Sequence, residues 1–179
     1  MGPEAASDVG ALDQNAIDRV RVEAWPSPES ADELHEALVL LGYMTEVEGA
    51  RANASAHFDE LRRGRRAVLV RLLGGSAAWV AVDRWAEFRA AHPLAGVVDA
   101  PEPESGPAPE PEHAVVELLR GRLEVIGPTT SRALADQTSI SVEVVDAALA
   151  ALEAEGFVLR GRFTPQLDDV VRVEDDYGR

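Results

Sequence analysis

The sequence predicts a mainly α-helical fold with small β-hairpins, laid out as two units joined by an acidic, proline-rich linker. Three observations carry that expectation. Apolar residues recur at three- and four-residue spacing in segments that stop at glycine or before proline. Short alternating or β-branched stretches follow those helices in pairs. Between the units, residues 99–113 read DAPEPESGPAPEPEH, a run without a large apolar side chain, which cannot nucleate a core. This gives a frayed, disordered segment at residues 1–12, a first unit at 13–94, a linker at 95–112 and a second unit at 113–179.

In the first unit, Ile17, Val20 and Ala24 mark an amphipathic helix ending before Trp25-Pro26. Leu34, Ala37, Leu38 and Leu41 mark a second, stopped at Gly42, and residues 54–63 a third, stopped at Gly64. Val68, Val70 and Leu72 alternate as a strand, Gly74-Gly75 turns the chain, and residues 79–82 return as its partner. A last helix over residues 84–91 ends before Pro93.

In the second unit, Val116, Leu119 and Leu123 place a helix over residues 113–125, with Gly127-Pro128 as its stop. Gly121 inside it costs about 1 kcal/mol of helix propensity against alanine. Thr129 or Thr130 caps a short helix through Gln137, and Ser139 or Ser141 caps a third with Val145, Leu149 and Leu152 on one face. Gly156 suits the left-handed residue after it. Residues 157–159 and 170–173 read as a strand pair. Three helices and a terminal hairpin make a winged helix. The first unit repeats that plan from its first helix onward with longer connections, Gly64 lying about as far from Val80 as Gly156 from Val171. The chain therefore reads as two tandem winged-helix domains.

The core is built from Ala, Val and Leu, since 46% of residues are hydrophobic but only 5% aromatic. The absence of cysteine excludes disulfides and Cys-based zinc sites. Neither a secretory signal nor a transmembrane run is present, and the expected setting is cytoplasmic. The net charge of −15 argues against diffuse attraction to nucleic acid, so such binding must be local, where arginine outnumbers carboxylate.

Residues 32–35 spell DELH, the form of a helicase acidic motif that holds Mg²⁺. That chemistry needs a strand end beside a GxxxxGK[ST] loop, and the chain contains no lysine at all. Asp32 and Glu33 are read instead as acids at the positive end of a helix. His35, His57, His92 and His113 show no metal-ligand spacing, and no GxSxG elbow is present. No catalytic residue or cofactor is expected.

The two third helices differ in charge. The first unit carries Arg62, Arg63, Arg65, Arg66 and Arg71 along its helix end and wing strand, partly offset by Asp59 and Glu60. The second carries Glu143, Asp146, Glu153 and Glu155 on its helix, with Arg160 and Arg162 on the wing. The first set is the candidate phosphate-binding set, joined by Arg160 and Arg162. The bland reading of those wing arginines pairs them with Asp168, Asp169 or Glu174. Glu143, Asp146 and Glu153 are the candidate protein-contact residues.

The stretch LLRGRLEVIGPTTSRALADQTSISVEVVDAALAALEAEGFVLRGRFTP, residues 118–165, resembles a region of the large helicase-related (Lhr) family of bacterial ATP-dependent DNA helicases. VEAWPSPESADELHEALVLLGYMTE and SAAWVAVDRW in the first unit resemble the segment that precedes it there. The resemblance spans about residues 16–165. It implies a non-catalytic winged-helix piece beyond the motor of a DNA-repair helicase. The implied partners are DNA, bound weakly through the first unit and the wings, and the motor and other C-terminal domains of a parent protein. The chain departs from the family after Pro165 and in its longer, more proline-rich linker. The competing expectation is an acidic winged-helix scaffold that never touches nucleic acid; a base-repair enzyme or accessory subunit is the third.

Overall fold

The computed structural model describes residues 24–99, 108–161 and 170–173, the last by backbone alone. The N-terminal segment, most of the linker, the residues around Ile17 and Val20, and Arg162 with the acids expected beside it lie outside the described residues.

The chain is mostly helical with small antiparallel sheets. The first unit runs α1 (Ala31–Leu41), β1 (Met44–Thr45), α2 (Glu46–Arg51), α3 (Ser55–Arg63), β2 (Ala67–Arg71) and β3 (Ala77–Ala81). A 3-10 turn (Val82–Arg84), α4 (Trp85–Ala91) and β4 (Gly96–Val97) complete it. The second runs α5 (Pro111–Ile126), β5 (Thr129–Thr130), α6 (Ser131–Thr138), α7 (Val142–Ala154), β6 (Val158–Gly161) and β7 (Val170–Val173). No helix among the described residues is long and apolar enough to cross a membrane.

The two units repeat each other in detail. Helices α1 and α5 each stop at a glycine with positive φ, 79° at Gly42 and 67° at Gly127, where a side chain would be strained. Each glycine leads to a two-residue strand whose last residue is a threonine. Thr45 accepts the Glu48 N–H at 3.2 Å and Thr130 the Ala133 N–H at 3.1 Å, so both cap the following helix. At the first of these caps the Glu48 carboxylate reaches back to the Thr45 N–H at 2.7 Å, completing a capping box. The sheets have the same order, β1-β3-β2 and β5-β7-β6, with β4 added beside β2.

Two expectations are corrected by this match. Apolar spacing starts the repeat at the segment around Ile17 and Val20, but the counterpart of α5 is α1. The unforeseen α2 supplies the middle helix; with only six residues it has too few apolar positions for a period to be read. Gly64 is also not the counterpart of Gly156. Gly156 has φ 77°, but Gly64 is right-handed at −77° and Arg65 takes the left-handed place at φ 55°. The hydrogen bonds agree: Gly64, Arg65 and Arg66 donate to Glu60, Arg62 and Leu61 carbonyls, as Glu155, Gly156 and Phe157 donate to Ala151, Glu153 and Leu152.

The apolar core does not divide at the linker. Val68, Val70, Ala78, Val80 and Phe88 of the first unit form one buried cluster with Val115, Leu119, Leu123, Leu134, Leu149 and Leu152 of the second. Helix α5 is the shared pillar, packed against α1 and α4 of the first unit and against α7 of the second. Gly121 makes the α1 crossing close: a Cβ there would lie 1.9 Å from the Leu40 carbonyl oxygen. The residue that costs helix propensity is the one that lets two backbones meet.

Beside it, Arg122 is fully buried. Its Nη1 and Nη2 donate to the two Glu48 carboxylate oxygens at 3.0 and 3.2 Å, and Nη2 also donates to the Tyr43 carbonyl at 3.2 Å. The guanidinium lies 4.4 Å from the Tyr43 ring centroid. Burial works against the Glu48 carboxylate, but the Arg122 charge and N–H donors, with Thr45, hold its pKa below the ordinary value. Burial pushes the Tyr43 hydroxyl up to about 12, and it donates to the Thr138 carbonyl at 3.2 Å. Among the described residues, polar bonds between the units are made by the buried Arg122 and Tyr43.

Candidate nucleic-acid interface

Four of the candidate arginines of the first unit sit where α3 ends. The turn after α3 is fixed by the backbone bonds of residues 64–66, so Arg62, Arg63, Arg65 and Arg66 follow one another around a single bend. Arg63, Arg65 and Arg66 are exposed and Arg62 is half-buried. Arg71 stands apart at the far end of β2, about 16 Å further along at ordinary strand rise. There it is exposed, and its Nη1 approaches the Gly75 carbonyl of the β2–β3 turn at 3.5 Å. These five arginines thus divide between an arginine turn at the end of α3 and the β2–β3 turn.

Part of that charge is already engaged. Arg62 donates from Nε and Nη2 to one oxygen of Asp99, at 2.8 and 2.6 Å, and its guanidinium lies 5.8 Å from the Phe58 ring centroid. Arg66 pairs with Asp32, the first acid of DELH. That aspartate lies in the first turn of α1, behind the Ser30 cap, so its environment is a helix N-terminus and not a strand end. The side chains of Arg63 and Arg65 have no partner among the described residues. Asp59 and Glu60 are exposed on the same helix.

The repeat allows the units to be compared position by position. The matched turns place Arg62 opposite Glu153, Arg63 opposite Ala154, Arg65 opposite Gly156 and Arg66 opposite Phe157. Every cation of the arginine turn is replaced by an acid or a neutral residue. On β6, Arg160 is held back onto α7, its Nε 3.4 Å from Glu153 and its Nη2 donating to the Asp146 carbonyl at 3.2 Å. Its partners among the described residues are therefore on the acidic helix, while Asp168, Asp169 and Glu174 lie outside the described residues. Glu143 is exposed without a partner among the described residues, between exposed Val142 and Val144.

His92 is buried, tilted against Phe88 and edge-on to Tyr43, and its Nε2 has no partner among the described residues. Burial, with the Arg122 charge behind it, lowers its pKa to about 4, so the ring is neutral near pH 7. No group of three or more metal-ligating side chains is assembled among the described residues.

Sequence reasoning found the arginines but not their partners. Asp99 lies 37 residues from Arg62 and Asp32 lies 34 from Arg66, and no local signal encodes such pairs. The Thr45–Glu48 capping box was the one legible part of the Arg122 site, through its T-x-x-E spacing. No protein-family model matches the chain, and no curated protein matches it.

Proposed function

We propose that the chain is a pair of winged helices that guides DNA without catalysis of its own, as part of an Lhr-type DNA-repair helicase. The shared order of helix, strand, two helices and a strand pair, with the third strand between the other two, supports the winged-helix assignment. The observation that carries the DNA reading is the arginine turn. Four cations fall around the end of the third helix, two of them free of partners among the described residues, in a protein of charge −15. Arginine there meets phosphate oxygens with planar, charge-assisted hydrogen bonds. The second unit lacks those cations at the matched positions and serves packing, through α5 toward the first unit and through Glu143, Val142 and Val144 toward another protein surface.

Fluorescence anisotropy with single-stranded and duplex DNA at 20–300 mM salt (a range of roughly the span over which phosphate contacts are lost) tests the reading. Weak binding that disappears with added salt is expected. Binding unaltered by replacing Arg62, Arg63, Arg65 and Arg66 with alanine refutes the turn as the site.

The second reading, an acidic scaffold that does not touch nucleic acid, is favoured by one observation: Arg62, Arg66 and Arg160 all have carboxylate partners within the chain. Absence of DNA binding even at the lowest salt selects it.

A further inference from the structure

We infer that Asp99 and Asp32 are built-in competitors of the arginine turn, occupying the donors that a phosphate chain must win. The inference rests on the DNA reading above and concerns how that site is regulated.

Arg62 spends two of its donor groups on one Asp99 oxygen, and those same donors are the ones a phosphate oxygen would take in a forked contact. The Phe58 ring beneath the guanidinium helps to fix its position, so it is presented already oriented toward its carboxylate. Asp99 is also the first residue of the DAPEPESGPAPEPEH stretch, which places Glu102 and Glu104 close behind it in sequence. At the other side of the turn, Arg66 is held by Asp32, whose own position is set by the N-terminus of α1. The two pairs bracket Arg63 and Arg65, which remain free among the described residues. A nucleic acid therefore first meets two available cations, and gains the outer two only by displacing carboxylates.

Both pairs are partly exposed, with side-chain exposures of 34% and 40% for Arg62 and Asp99 and of 44% and 80% for Arg66 and Asp32. Pairs so open to water are weak enough to be exchanged, which a gate requires and a structural lock does not. For the same reason, neutral replacements leave the fold intact.

The test measures single-strand binding by anisotropy across a salt series for the wild-type chain and for D32N/D99N. A control, E36Q/E124Q, neutralises two exposed carboxylates that have no partner among the described residues. The D32N/D99N chain is expected to bind more tightly, with the slope of log K against log salt steeper by about 1.4, since each released arginine adds one single-strand phosphate contact at about 0.7. The control keeps the wild-type slope. In an R62A/R66A background the aspartate replacements are expected to do nothing. Three results overturn the inference while leaving the DNA reading in place: no change in D32N/D99N when R62A/R66A weakens binding, a change matched by the control, or a change that persists without the two arginines. Absence of binding by every variant, D32N/D99N included, overturns the DNA reading and the inference together.

Discussion

Replacing Arg122 tests whether the two units are one folding body. Arg122→Met keeps much of the side-chain volume but removes two bonds to the Glu48 carboxylate and one to the Tyr43 carbonyl. Removing one partner of a buried ion pair costs about 3–5 kcal/mol, because the other charge stays behind uncompensated. Glu48 keeps 20% of its side chain in water and retains the Thr45 N–H, so the low end applies, about 3 kcal/mol. That is a large share of the roughly 5–15 kcal/mol that stabilises a typical domain. The complementary Glu48→Gln strands a charge that is 0% exposed, so it should cost at least about as much. In the double variant neither charge is left alone, and the loss should fall short of the sum by about 2 kcal/mol or more. Urea unfolding at pH 7, followed through the buried Trp79, reads the effect as a midpoint shift of about 2 M for Arg122→Met at an ordinary m-value. Because the core crosses the linker, each unfolding curve should show one transition. Two separate transitions in the wild-type chain, or single-variant losses that add within about 0.5 kcal/mol, would refute the reasoning.

The same core gives Gly121→Ala a sign opposite to propensity. Helix preference favours alanine by about 1 kcal/mol, whereas overpacking against the Leu40 carbonyl costs about 1–3 kcal/mol. A fall in melting temperature is expected, and a rise would show that α1 and α5 do not cross there. Arg65→Gly should stabilise the chain by about 0.5–1 kcal/mol, since a left-handed backbone strains an arginine and not a glycine. The same variant should weaken the proposed DNA binding, and a drop in melting temperature counts against the assigned turn. His92 contributes acid sensitivity. Its folded pKa, about 4, lies below the usual 6.5, so between those values the unfolded chain binds a proton that the folded chain does not. Stability is therefore lost as pH falls through that window, by about 3 kcal/mol at 1.36 kcal/mol per pKa unit. His92→Gln should flatten this part of the stability–pH curve, and equal slopes for the two proteins would dismiss burial of the imidazole. The Glu48 contribution is lost only at lower pH, as the pH falls through its depressed folded pKa.

What the sequence determined by itself was local. The limits of α1, α5 and α7 lie within a few residues of their apolar periods, and Gly42, Gly127 and Gly156 take the positive φ that ends a helix. Thr130 caps α6 as its residue type suggests, and the strand pairs stand where alternation and the Gly74-Gly75 turn put them. These signals lie within one turn or one strand of the residues they govern, so they can be read without knowing what packs where. The arginines of the turn were legible as charge for the same reason.

Only the tertiary structure decided which charges are spent and which glycine is indispensable. Arg122 and Glu48 are 74 residues apart, and nothing near either one distinguishes a buried arginine from a solvated one. Gly121 looks like a defect in an isolated helix and becomes a point of contact once α1 lies across it. Arg65 carries the left-handed backbone although a glycine stands next to it, because the hydrogen bonds that close α3 and align β2 set the turn's register. In each case the deciding partner is distant in sequence, and its identity follows from how the elements pack and not from their propensities.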